Sequence, residues 1–209
     1  MKRRFLMIVF LLPLALVSSF ILAREWKQKS LERNSEKFPV YSEIGDFELT
    51  ERSGSRVGKH DLLGRVWIAD FIFTRCGGPC PKMTAHMKNM ETALAGQDVK
   101  LVSFSVDPEF DTPEQLRVYA DRFGAGAETW YFLTGDKDTI HQLSRQHFLL
   151  GLTEIAEEDR EALDQSVMHS TRFALVDKQG RVRGYYESTE AESLQQLVRD
   201  AGALARSKN

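Results

Sequence analysis

The stretch that most constrains this chain is Val66–Phe73 (VWIADFIF), an almost unbroken apolar run that stops at Thr74-Arg75-Cys76-Gly77-Gly78-Pro79-Cys80-Pro81. Eight such residues bounded by a turn-forming segment read as a strand buried on both faces. Strand and helix signals alternate on either side of it, which predicts an α/β fold. Upstream, Asp46–Thr50 is a short alternating strand. Downstream, a helix is expected from about Pro81, carrying Met83, Met87, Met90 and Leu94 along one face. Val99–Val106 is the next central strand. Asp111-Thr112-Pro113-Glu114 opens another helix, with Thr112 as N-cap, Pro113 at N1, and Leu116, Tyr119, Ala120 and Phe123 on its core face.

Trp130–Leu133, Arg172–Val176 and Val182–Tyr186 supply further strands, the last two joined by the turn Asp177-Lys178-Gln179-Gly180 into an antiparallel hairpin. Helices are expected over Lys137–His147 and Ala191–Arg206. Residues 152–165 are acidic and helix-prone, and read as a surface insertion. The order strand, cysteine loop, helix, strand, helix, strand, hairpin, helix is that of a thioredoxin-like domain: a central mixed sheet flanked by helices, here with an added N-terminal strand.

Ahead of this domain, Phe5–Ala23 carries no charge and follows Lys2, Arg3 and Arg4. As a helix it would reach about 28 Å, enough to cross most of a hydrocarbon core. A cleavable export signal ending near Val17-Ser18-Ser19 has the same layout. The apolar run continues through Phe20, Ile21 and Leu22, which favours an uncleaved transmembrane anchor over residues 1–23. Basic residues flank both ends, so their count does not orient the segment. A short basic leader is nevertheless an export signal, and a large following domain crosses regardless of its charge. The expected layout is an anchor, a charged linker over 24–40, and a domain over 41–209 outside the cytoplasm, as in a bacterial inner membrane facing the periplasm. The chain has 28 basic and 30 acidic residues for a formal net charge of −2, and the leader holds three of the basic ones. A mildly acidic domain without a basic stripe is not built for nucleic acid. Nothing in the sequence calls for an oligomer, and a monomer is expected.

Cys76 and Cys80 are the only two cysteines of the chain. At the end of a central strand and the start of a helix, a cysteine should be held as thiolate by the helix terminus, ready to bind metal or attack a disulfide. Gly77 and Gly78 let the short loop turn. A structural disulfide is permitted by an exported compartment, but so short a closed loop removes little chain entropy. A redox pair is the other alternative, although the thioredoxin motif has a two-residue gap and this one has three.

Further motifs make the sequence resemble the Sco/SenC family of copper-handling proteins. Cys76, Cys80 and Pro81 match its C-x-x-x-C-P loop. Ser105-Val106-Asp107-Pro108 and Asp111-Thr112-Pro113-Glu114 are similar to its S-V-D-P and D-T-P-E blocks, and Leu133-Thr134-Gly135 to its L-T-G stretch. Met168-His169-Ser170 stands where the family has its histidine ligand. The resemblance spans roughly residues 41–200. It implies a thioredoxin-like, membrane-anchored, exported copper chaperone with Cys76, Cys80 and His169 as metal ligands. It also implies delivery to the copper-bearing subunit of cytochrome c oxidase, at its binuclear centre. Gly77 and Gly78 depart from the family, which commonly has Pro and Asp there.

The donor set suits that metal on chemical grounds. Two thiolates are soft ligands for Cu(I), imidazole suits both copper oxidation states, and structural zinc normally wants four protein ligands where only three offer themselves. The alternative from another class is a thiol-disulfide oxidoreductase that keeps a partner's cysteines reduced, with Cys76 and Cys80 as its catalytic pair. His60, His86, His141 and His147 read as ordinary histidines. Met83 and Met87, which flank His86, read as core packing rather than accessory copper ligands. Asp107 and Asp111 read as turn and helix-start residues. Gly54-Ser55-Arg56-Val57-Gly58-Lys59 falls one residue short of a phosphate loop and lacks its hydroxyl residue.

Overall fold

The computed structural model describes residues 19–22, 24–25, 38–150 and 170–207. Along the chain the elements are β1 (Ser42–Glu43), β2 (Glu48–Glu51), β3 (Arg56–Gly58), α1 (Lys59–Leu62), β4 (Val66–Ile72), α2 (Pro79–Ala93), β5 (Val99–Ser105), α3 (Pro113–Arg122), β6 (Trp130–Thr134), α4 (Lys137–Gln142), β7 (Arg172–Val176), β8 (Arg181–Glu187) and α5 (Ala191–Arg206). The chain divides between Pro39 and Val40, and the fold described here is that of residues 40–209.

Every residue of β4 is buried, as its apolar run requires. It lies inside an eight-stranded sheet of order β1-β8-β7-β4-β5-β6-β2-β3. β4, β5 and β6 run parallel, joined through α2 and α3, while β7 pairs antiparallel with β4 and β2 antiparallel with β6. Alternation along β4 divides its side chains between two faces. Trp67 and Phe71 join Phe47, Phe104 and Phe148 in an aromatic cluster in which Phe71 stacks on Phe104 at 5.1 Å and meets Phe148 edge-on at 5.2 Å. On the opposite face Asp70 stands in register with Ser103, near Trp130 and Phe132, which stack at 4.8 Å. Tyr119 of α3 closes over Phe132.

The strands and helices expected around the cysteine loop are present, with small changes at their ends. Thr112 caps α3 by accepting the Gln115 N–H, and α2 begins at Pro79, two residues earlier than expected. The helix expected over Lys137–His147 divides: α4 ends at Gln142 and Leu143–His147 continues as a π-turn. Three short elements, β1, β3 and α1, had no period long enough to be read. The Gly54–Lys59 stretch is the return of the β2–β3 hairpin, where Gly54 takes φ 89° and Glu51 N–H bonds to Ser55 C=O at 2.8 Å. The insertion expected at 152–165 lies outside the described residues, as does most of the anchor run Phe5–Ala23. Among the described residues no helix is long and apolar enough to cross a membrane.

Candidate metal centre

The site begins where the parallel ladder ends. Val106 N–H still bonds to Ile72 C=O at 2.8 Å, and past that point the chain turns over Phe73–Cys76, closed by Cys76 N–H to Phe73 C=O at 3.2 Å. Gly77, Gly78 and Pro79 are exposed, and Cys80 re-enters the protein in the first turn of α2. Both cysteines are buried thiols, Cys76 at 6% exposure and Cys80 at 0%. The two side chains stand within hydrogen-bonding reach of each other. Thr84 donates to Cys80 C=O at 2.9 Å and shares a hydrogen bond with Tyr119 at 2.8 Å, which ties the start of α2 to α3. A side-chain carbon at Gly77 would touch nothing, and one at Gly78 would stand 3.9 Å from the Cys76 sulfur. Crowding therefore does not dictate the two glycines.

The expected thiolate is not what burial produces at Cys80. Removal from water pushes its thiol well above the ordinary range, and the neighbouring Cys76 and Asp70 push the same way. The backbone of Phe73 opposes the shift without overcoming it. Helix-terminus stabilisation amounts to about 0.3–1 kcal/mol at an exposed site, whereas full burial of a charge moves a pKa by up to about 3–5 units, so desolvation wins. In the apo protein Cys80 is accordingly a thiol, and a soft metal would have to displace its proton on binding.

Beneath the thiols lies Asp70, fully buried in the middle of β4. It accepts the Ser103 hydroxyl at 2.6 Å, Ser103 accepts the Trp130 indole N–H at 3.0 Å, and among the described residues the second carboxylate oxygen has no hydrogen-bond partner. Burial raises its pKa to about 7, although the Ser103 hydrogen bond pulls it down. Asp70 is not among the residues expected at the site, although the sequence carries its signal, one carboxylate in an otherwise apolar run.

The loop between β5 and α3 grips the turn that ends at Cys76. Asp111 is fully buried and accepts from the Thr74 amide at 3.0 Å, from the Thr74 hydroxyl, and from the Ser105 hydroxyl at 2.5 Å. Arg75 is paired with Asp107 at 2.6 Å and lies over the Phe110 ring at 4.3 Å. Asp111 is therefore more than the helix-start residue expected, since Thr112 does the capping and the Asp111 carboxylate points to the cysteine turn. Asp107 keeps its expected turn role, its C=O accepting the N–H groups of Phe110 and Asp111.

Of the three expected ligands, Cys76 and Cys80 are brought together, while His169 lies outside the described residues. β7 opens at Arg172 and runs antiparallel to β4, with Ala69 opposite Ala174 and Trp67 opposite Val176. Its first residues thus lie at the end of β4 from which the cysteine loop springs. Among the described residues no three His, Cys, Asp or Glu side chains gather as a metal site. Met83, Met87 and Met90 are buried in the core, and His147 accepts the Gly45 N–H at 3.1 Å.

A model of the SCO1/SenC family matches residues 36–204. The chain belongs to the SCO1/SenC family. The SCO1 protein homolog of Bacillus subtilis is 35% identical over 174 residues, which is 82% of this chain and 88% of the relative. The solved structure of BsSco, described as a member of the Sco family of cytochrome c oxidase assembly proteins and as containing a disulfide switch, is 34% identical. It superposes with a TM-score of 0.70 over 82% of this chain and 98% of its own. Arabidopsis thaliana ScoI with copper bound is 25% identical, with a TM-score of 0.63 over 78% of this chain and 98% of its own. The mixed sheet described above is thus the thioredoxin-like fold of the Sco proteins.

Proposed function

We propose that this SCO1/SenC protein is a copper chaperone, held at the membrane by its N-terminal apolar run, that carries copper on Cys76, Cys80 and His169. Its copper would pass to the copper-bearing subunit of cytochrome c oxidase. The observation that carries this reading is the pairing of two buried thiols at the open end of the sheet, the only cysteines of the chain, in a member of a family with a copper-bound structure. Two sulfur donors and one imidazole leave a soft metal accessible to an incoming ligand, so a partner's thiolates can replace the chaperone's one at a time. The proposed anchorage would serve the same function, because a carrier confined to the membrane would meet a membrane-bound acceptor at raised effective concentration.

A second reading is favoured by the contact between the two thiols and by the disulfide switch in BsSco. Cys76, the less buried, would attack a partner disulfide, and Cys80 would then resolve the mixed disulfide. The pair would lose two electrons and two protons as the partner's cystine became two thiols.

His169→Ala separates the readings. If copper transport is the function, the variant loses most of its copper to a competing chelator while its dithiol still reduces a model disulfide at the normal rate. Retention of copper by His169→Ala, together with loss of the reductase reaction in Cys76→Ser alone, would favour the oxidoreductase instead.

A further inference from the structure

We infer that Asp111 is the positioning residue of Cys76: by holding the amide and the hydroxyl of Thr74, its buried carboxylate fixes the turn that ends at this cysteine and sets where its sulfur stands against Cys80. The inference rests on the proposed role of the pair for its consequence in copper handling, but its geometry does not depend on copper.

Cys76 closes a four-residue turn whose two central residues are Thr74 and Arg75. Both are gripped from outside the turn and from the same segment. Thr74 gives both of its donors to Asp111, while Arg75 pairs with Asp107 and stacks on Phe110. The grip begins where the β4–β5 ladder stops, so side chains take over from backbone pairing at the Val106–Ile72 hydrogen bond. Ser105 completes it: its hydroxyl donates to Asp111 and accepts the Asp107 N–H at 3.1 Å.

Of these ties the Asp111 set is the strong one. The Arg75–Asp107 pair is exposed on its arginine side and screened by water, whereas Asp111 is shielded from water and removing one of its partners would leave a buried polar group unmatched. A buried carboxylate is costly unless its acceptors are filled. Here two of its three donors come from the turn it positions, and none comes from the helix it precedes.

The test uses the full chain in detergent, reduced and metal-free, as wild type, Asp111→Asn, Asp111→Ala and Thr74→Val, each with native circular dichroism. Alkylation of Cys76 by a neutral maleimide, followed by mass spectrometry of its peptide, reports sulfur access. The potential of the Cys76–Cys80 pair in a dithiothreitol buffer reports sulfur placement, and loss of Cu(II) to a chelator reports the consequence for copper. Asp111→Ala is expected to speed alkylation and shift the potential, and to weaken copper retention by about 10- to 100-fold, as removal of a residue behind a metal ligand does. Asp111→Asn, which keeps one amide oxygen for Thr74, should recover part of each effect. Thr74→Val should move all three in the same direction by less, and should add nothing when placed on Asp111→Ala. If Asp111→Ala does not fold, Thr74→Val and Asp111→Asn carry the test. Wild-type alkylation rate and potential in folded variants would overturn the inference. Failure of the wild-type chain to hold copper would count against the proposed function, and leave the alkylation and potential arms to judge Asp111.

Discussion

Cys76 and Cys80 share a loop but not an environment. Cys80 is closed off by α2 and by the Thr84–Tyr119 hydrogen bond above its carbonyl, whereas Cys76 sits at the rim beside three exposed residues. The rim is also where this chain departs from the family pattern, with Gly77 and Gly78. A Cβ at Gly78 would meet only the Cys76 sulfur, at an ordinary 3.9 Å, so an acid can be introduced there. A carboxylate near the metal should favour Cu(II): about 1 kcal/mol at 4 Å in water, or roughly fivefold in affinity. We expect Gly78→Asp to hold Cu(II) several-fold more tightly in a chelator competition and to leave the melting temperature unchanged. Unaltered or weakened Cu(II) affinity in the folded variant would mean that the acid of other members acts on something other than the metal.

At the scale of elements, the site depends on α3 as much as on α2. Thr112 accepts the Gln115 N–H at 3.3 Å, and Pro113 supplies a preset first turn. This start follows directly on Asp111. Thr112→Ala should cost about 1 kcal/mol of stability, seen as a lowered urea midpoint with an unchanged slope. A changed slope would mean that the cap also holds the native state together beyond its own helix. This region shows why some features were legible in the sequence and others were not. Thr112, Pro113 and the apolar spacing that follows are local signals, as is the all-apolar face of β4, so α3 and the central strand could be read with their ends nearly right. β3 and α1 are three and four residues long, too short to show any period. The π-turn at Leu143–His147 leaves the same apolar spacing as an ordinary helix end. The grip of Asp111 is illegible for a different reason: its partners Thr74 and Ser105 come together only through the parallel pairing of β4 with β5, which no local pattern encodes. The closeness of the two cysteines was legible from their spacing, whereas the high pKa of Cys80 was not, because it follows from burial and not from position on a helix.

For the whole molecule, the buried carboxylate of Asp70 ties stability to pH. In the unfolded chain it ionises near 3.8 and in the folded protein at about 7. Between these values the folded state keeps a proton that the unfolded state has lost, so stability falls as pH rises through the window and the penalty is complete above it, on the order of 4 kcal/mol at most. Asp70→Asn removes this titration and keeps an oxygen for the Ser103 hydroxyl. Melting temperatures of the reduced, metal-free proteins should therefore diverge from pH 5 to pH 8, with the wild type losing ground to the variant. Parallel curves would show that Asp70 is already ionised in the folded protein below pH 5, contradicting the raised pKa.

If copper sits on both sulfurs and one imidazole of a single chain, X-ray absorption at the copper edge of the full chain loaded with one equivalent of Cu(I) or Cu(II) reads those donors out. Two sulfur scatterers and at least one nitrogen per copper are expected, with one sulfur lost in either Cys76→Ser or Cys80→Ser and the imidazole signature lost in His169→Ala. A spectrum with no sulfur scatterers, or one indifferent to all three substitutions, would contradict that donor set.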